Sequence, residues 1–233
     1  MVDTIQSYRE NIVFDLGFYN GLDSLWYLEK GYQVVAVEAN PELAERGARK
    51  LEKFICAGQI TIVNAALSER DDDLIDFFIN DNMLEWSSCN KLMAESDGSN
   101  ARVVSVRSIT LMKLIETFGL PYYVKSDIEG NDGVVARQLL ELPKKPQYVS
   151  FEIGKKNYYD ILPWLYVSGY SSYQLINQLH TPKGTSGAFG EYLDDDNWIS
   201  FDKALERYVK YKLLKEDDNV NLAVGWIDIH AKL

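Results

Sequence analysis

The chain has 233 residues, 46% of them hydrophobic and 25% charged, and its 24 Lys and Arg against 35 Asp and Glu leave a formal charge of −11. That length and balance suit one large domain with a real core, and the acidity argues against nucleic acid as a partner, since phosphate binding needs basic surface. Two cysteines (Cys56, Cys89) and two histidines (His180, His230) exclude a disulfide framework and a multi-histidine zinc site, and no apolar run nears the roughly 20 residues of a membrane span.

The polar start, MVDTIQSYRE, lacks the cationic flank and apolar stretch of a signal peptide, so the expected location is cytoplasmic. NIVFDLG (11–17) then reads as a buried strand ending in a tight glycine turn, and LDSLWYLEKGY as a helix stopped by Gly31. QVVAVEANP is a second buried strand, broken at Asn40-Pro41. PELAERGARKLEKFICAG follows as one helix with Pro41 in its first turn, and QITIVNAALSE as a single third strand. Near-continuous apolar strands alternating with helices predict a parallel sheet covered on both faces, an α/β doubly wound fold.

LIDFFIN (74–80) and ARVVSVRSI (101–109) alternate as strands around a polar stretch that carries Trp86 and one short helix. They predict a small antiparallel insertion at the edge of the sheet. ITLMKLIETFG is an amphipathic helix, YYVKSDIEG a strand ending in acids, NDGVVARQLLEL a helix, and QYVSFEI another strand. KNYYDILPWLYVSGY predicts a helix kinked at Pro163. A strand SYQLINQ, a Gly/Ser-rich loop, a helix FDKALERYVKYKLLKE and an antiparallel closing strand NLAVGWIDIHA complete the pattern. With no repeat and no linker, residues 1–233 read as a single domain.

Chemistry concentrates at strand ends. Asp15-Leu16-Gly17-Phe18-Tyr19-Asn20-Gly21 sits where the first strand meets the first helix, and glycines there let backbone approach a ligand. A nicotinamide-dependent oxidoreductase predicts Gly-x-Gly-x-x-Gly at this place, which is absent. A carboxylate at Asp15 repels a pyrophosphate and favours a cationic ligand such as a sulfonium, which points to S-adenosylmethionine. The plain alternative is a strand–turn–helix corner with a capping aspartate. Glu38 ends the second strand, 17 residues after Gly21, where an acid can accept both ribose hydroxyls of a nucleoside; its plain alternative is an acid favoured by the dipole of the next helix.

FDLGFYNGLDSLWYLEKGYQVVAVEANPEL is similar to the start of the FkbM-like methyltransferases, which depend on S-adenosylmethionine. ITLMKLIETFGLPYYVKSDIEGND resembles that family's second hallmark, with Lys125, Asp127, Glu129 and Gly130 in the Lys-x-Asp-x-Glu-Gly pattern. QYVSFEI, with Glu152, resembles the next strand, and SGAFGEYL a loop of a shorter branch. Many members carry Asn two residues after the first motif glycine; this chain has Tyr19 there.

The resemblance implies the Rossmann-like class I methyltransferase fold. It places Asp15, Gly17 and Gly21 at the cofactor's methionine end, with Tyr19 in the same turn and Asp23 and Ser24 beside it. Glu38 then holds the ribose, Ala39 lies against the adenine, and Asn64-Ala65 closes over the base. Methyl transfer to a hydroxyl needs in-line alignment and a group to take the proton. Asp127 or Glu129 is the expected general base, Glu152 a third candidate, and Lys125 tunes their charge. For Glu129 the plain alternative is a cap on the following helix. The carboxylates also raise the possibility of a divalent cation, although the expected set includes no metal.

Trp86, Ser88 and the loop from His180 to Tyr192, with Ser186, have the aromatics and hydroxyls to bind a sugar or polyol; turn-forming loops are their plain alternative. The expected function is O-methylation of a sugar, glycan or secondary-metabolite hydroxyl, with a small-molecule or glycan acceptor as partner. The alternatives are a non-catalytic nucleoside-binding module and the nicotinamide-dependent oxidoreductase. Nothing in the chain speaks to oligomeric state.

Overall fold

Short β-branched runs bounded by glycine, proline and asparagine become strands, and the amphipathic stretches between them become helices. The computed structural model describes residues 9–153, 161–178, 197–215 and 227–233. The strands are β1 (Arg9–Leu16), β2 (Gln33–Glu38), β3 (Ile60–Asn64), β4 (Ala66–Leu67), β5 (Leu74–Ile79), β6 (Arg102–Ile109), β7 (Pro121–Ser126), β8 (Tyr148–Ile153), β9 (Ser172–Asn177) and β10 (Ile227–Lys232). The helices are α1 (Leu22–Glu29), α2 (Pro41–Lys50), α3 (Glu52–Cys56), α4 (Lys91–Ala94), α5 (Leu111–Phe118), α6 (Asp132–Glu141), α7 (Ile161–Val167) and α8 (Phe201–Lys215), with a 3₁₀ turn at Leu84–Trp86. No described helix is long and apolar enough to cross a membrane.

Seven strands form one sheet in the order β3-β2-β1-β7-β8-β10-β9, parallel except for β10, which runs antiparallel to both β8 and β9. One face of this sheet presents Phe14, Leu16, Val35, Val124, Phe151 and Ile229 to α5, α6, α7 and α8 in the main core. The other presents Val13, Val34, Ala36 and Tyr123 to α1 and the segment around Leu51. Helices on both faces are what the continuous apolar strands require. The chain order reverses between β1 and β7, and crevices for ligands open at such a switch, beyond the strands' carboxyl ends.

Four details differ from the sequence reading. The third strand breaks at Ala65: β3 stays in the main sheet, whereas β4 turns away to pair in parallel with β6. The insertion is therefore a separate three-stranded sheet, β4-β6-β5, rather than an extension of the main edge. The helix after β2 divides into α2 and α3 at Leu51, whose side chain is buried in the second core. Pro163 does not split the described part of its helix, since Ile161–Val167 runs through it as one helix. The front of that predicted helix and the start of the predicted closing strand lie outside the described residues.

Candidate active site

Side chains alternate across a strand, so residues in register on neighbouring strands share a face. Asp15, Lys125, Ser150, His230 and Gln174 form such a row, each paired with the next across β1, β7, β8, β10 and β9. All five are buried. Two residues further along, where the parallel strands end, the same face presents Glu38, Gly17, Asp127, Glu152 and Asp228. These five line a cavity of about 800 Å³. Its opposite wall comes from the small sheet and its loop, including Phe77, Leu84, Glu85, Trp86, Cys89 and Met93.

At one end of the cavity the backbone does the positioning. Gly17 has φ +96, and a Cβ there would run into the Asp127 carbonyl, so only glycine lets β1 and β7 end this close together. The Gly17 and Phe18 N–H groups both donate to the Val37 carbonyl at 3.0 Å, which folds the turn back over β2. Phe18 is buried with its ring against Gly21 and against Gly47 of α2; a Cβ at either glycine would occupy the ring's place. The Glu38 carboxylate accepts from the backbone N–H of Tyr19 and of Asn40, each at 2.7 Å. Burial pushes its pKa up to about 7, against the lowering pull of those donors. Two N–H bonds leave roughly half of a carboxylate's four acceptor positions for a ligand.

At the other end, side-chain charge does the positioning. The buried Lys125 ammonium stands 2.7 Å from Asp23, 3.4 Å from Asp127 and 3.9 Å from Asp15. Its own pKa is raised well above the usual value because these carboxylates outweigh the cost of its burial. Asp127, although burial raises it, ends below the usual carboxylate range through the Lys125 charge and hydrogen bonds from Glu152 and Lys125. Glu129 and Glu152 go the other way, raised well above that range by burial and by neighbouring carboxylates, Asp127 first among them. Asp127, Glu129 and Glu152 each bring one oxygen within 4.8 Å of the others. Lys125 and hydrogen bonds within the group offset that charge, and the opposed directions make Asp127 the member that ionises most readily.

The turn that carries Glu129 is unusual. Glu129 adopts φ +49, which costs a non-glycine residue about 1–2 kcal/mol. Asp132 supports the turn from α6, accepting from the Ser126 hydroxyl at 2.7 Å and the Ile128 N–H at 3.3 Å. Asn131, not Glu129, is the N-cap residue of α6, and its amide donates to the Leu67 carbonyl at the end of β4.

Of the residues read from the sequence, Gly17, Tyr19, Asp23, Glu38, Ala39, Ala65, Trp86, Lys125, Asp127, Glu129 and Glu152 line this one cavity. Asp15 does not. Strand alternation sets it one row below, fully buried, where it accepts from the Ser24 hydroxyl at 2.6 Å and faces Lys125; the expectation that it grips a ligand directly is corrected. Ser24 is spent on that bond, and Gly21 serves the packing of Phe18. The Asn64 amide donates to the carbonyls of Glu38 and Ala39, tying β3 to β2 rather than facing the cavity. Ser88, expected at the acceptor, is buried away from the cavity and donates to the Glu129 carbonyl. His180 and Ser186 lie outside the described residues.

Glu85, Asp228 and Gln178 also line the cavity and were not singled out. For Asp228 the signal was present: in IDIHA, alternation puts Asp228 and His230 opposite the apolar Ile229 and Ala231. Glu85 sits in the 3₁₀ turn, where its carboxylate accepts from the Tyr19 hydroxyl at 3.2 Å, and no periodicity marks it.

The cavity therefore sits at the switch point, with a strand-end acid at one end and a carboxyl cluster at the other. The family model for the methyltransferase FkbM domain matches residues 15–172. The chain belongs to the FkbM methyltransferase family. Its sheet order is accordingly that of the Rossmann-like class I methyltransferase fold. No curated protein sequence matches this FkbM chain. Solved structures similar to it include the precorrin-6y C5,15-methyltransferase from Geobacter metallireducens GS-15, at 11% identity over 98% of this chain and 84% of that one, with a TM-score of 0.46. The METTL16 MTase domain is similar at 16% identity over 76% of this chain and 57% of that one, with a TM-score of 0.39.

Proposed function

We propose that this FkbM-family chain is an S-adenosylmethionine-dependent O-methyltransferase acting on a hydroxyl of a sugar, glycan or secondary metabolite. The observation that carries the reading is the pairing, within one cavity, of Glu38 with unused acceptor positions and a hydrogen-bonded carboxyl cluster at the opposite end. Both ends rise from one sheet, so the reading treats residues 1–233 as a single methyltransferase domain.

The residues present fit the cofactor. Glu38 has lone pairs for the two ribose hydroxyls, and Ala39, Leu43, Ala65 and Phe77 make an apolar wall for a purine. Asp23 and Asp127, anchored on Lys125, supply negative charge for a sulfonium or an ammonium. Asp15 serves beneath them as a fixed counter-charge to Lys125. When bound, the cofactor supplies a methyl group on a sulfonium, already activated for transfer.

The chain's own work is alignment and proton removal. Ionised Asp127 accepts a hydrogen bond from the acceptor hydroxyl and orients it. Glu129 is the general base, because its raised pKa makes it the stronger proton acceptor once ionised. Glu152, sharing a proton with Asp127, keeps that pair at a single negative charge. Trp86 offers an aromatic face for a sugar ring.

Isothermal calorimetry with S-adenosylhomocysteine tests the first step. Micromolar binding supports the reading; binding of NAD instead, or of neither nucleotide, overturns it.

A further inference from the structure

The acidic turn is held mostly from within β7 and α6, and the small sheet reaches it twice: the Leu67 carbonyl of β4 accepts from the Asn131 amide, and Ser88 bonds to the Glu129 peptide itself. The Ser88 hydroxyl donates to the Glu129 carbonyl at 2.6 Å and accepts from the Asn90 N–H at 2.9 Å. The Ser88 backbone pairs with Phe78 of β5 in both directions, at 2.8 and 3.0 Å. Nearby, the buried Asn80 accepts from the N–H groups of Asn82 and Met83 and donates to the Ala94 carbonyl, so the segment that carries Ser88 is stiff. Its target is a residue in a left-handed conformation that glutamate seldom adopts unaided. Holding that peptide plane restrains the backbone torsions at Glu129 and with them the direction of its Cα–Cβ bond.

We propose that Ser88 is a positioning residue for methyl transfer: its hydroxyl, carried by the three-stranded sheet, pins the Glu129 peptide so that the Glu129 carboxyl stands beside Asp127 and Glu152. The inference rests on the methyltransferase reading above. It makes the wall that carries Trp86 and the base that serves the acceptor one mechanical unit. The charged groups facing Glu129 are Asp127 and Asp132 of its own segment, Lys125 of β7, Glu152 of β8 and Glu85 of the 3₁₀ turn.

Ser88→Thr and Ser88→Val in the full chain test the idea, because the two side chains share a shape and differ in the hydroxyl. The valine variant is expected to lose about tenfold or more in kcat while its affinity for S-adenosylhomocysteine stays within about twofold, and threonine restores kcat. A ¹³C titration of the Glu129 carboxyl needs no turnover. In the valine variant it moves down toward the ordinary carboxylate range as the side chain swings away from Asp127; in the threonine variant it does not. Ser88→Ala replaces valine if that variant does not fold.

Equal kcat and equal titration in the threonine and valine variants would overturn the proposal. So would a comparable titration shift in Asn90→Ala, which removes the cap of α4 without touching Glu129 and would reveal general loosening. If the unaltered chain transfers no methyl group, the proposed function fails while the titration still decides the role of Ser88.

Discussion

The two ends of the cavity are built by different means. Around Glu38 the donors are main-chain N–H groups of Tyr19 and Asn40, held by a glycine turn and a helix start. Around Asp127 the groups are side chains, and a buried lysine bearing on three carboxylates keeps them in place. The first end is thus vulnerable to changes of shape and indifferent to distant charge; the second is the reverse. A ligand half held by backbone and half by charge can be uncoupled one half at a time.

The largest effect is expected from Gly17→Ala. The new methyl group meets the Asp127 backbone, which cannot yield, so the variant is expected to express as unfolded protein by circular dichroism. Lys125→Met comes next. It leaves Asp15, Asp23 and Asp127 without their shared cation, and denaturant titration should show a loss of about 3–5 kcal/mol. Glu129→Gln should lower kcat by about 10²–10³-fold while the S-adenosylhomocysteine affinity changes by less than about threefold, and Asp127→Asn should lower kcat further than it lowers that affinity; unchanged activity in both would remove the carboxyl cluster from catalysis. Glu38→Gln should do the opposite, weakening cofactor binding about tenfold and sparing kcat at saturation.

The smallest effect is on stability against pH. Burial raises Asp15 and Asp132 to about 6 and Glu38 to about 7. Each therefore binds its proton more tightly folded than unfolded, and stabilises the fold at acidic pH by an amount that is lost as pH rises through 6 to 7. His230, lowered to about 3 by burial, works the other way, but its contribution is complete once pH passes the usual imidazole value of about 6.5. The ligand-free protein should melt a few degrees higher at pH 5.5 than at pH 8, and a higher melting point at pH 8 would contradict this balance.

The parallel sheet was legible in the sequence because its strands are apolar on both faces and its helices are amphipathic, patterns that local propensity and burial both favour. That Glu38, Asp127 and Glu152 gather at one end of the sheet was legible because acids at the ends of buried strands have few structural reasons to be there. The role of Asp15 was not. Distinguishing the last residue that faces a cavity from the one beneath it requires the register between strands, which is set by pairing partners distant in sequence. The break at Ala65 was hidden for a related reason: QITIVNAALSE is equally apolar on both sides of it, and only β6, some 40 residues later, draws β4 away. Ser88 was assigned by composition to the acceptor, but a hydroxyl flanked by Trp86 and Asn90 has the same composition whether it meets a ligand or a carbonyl.

Phe18 has a wider consequence. An aromatic ring seated between two glycines, one in the turn and one on α2, works as a bearing. The turn that offers the Tyr19 N–H to Glu38 cannot move outward without unseating the ring from α2 and exposing its buried face. Bulk added at Gly47, remote in sequence from the turn, would therefore displace the ring and disturb the turn from behind.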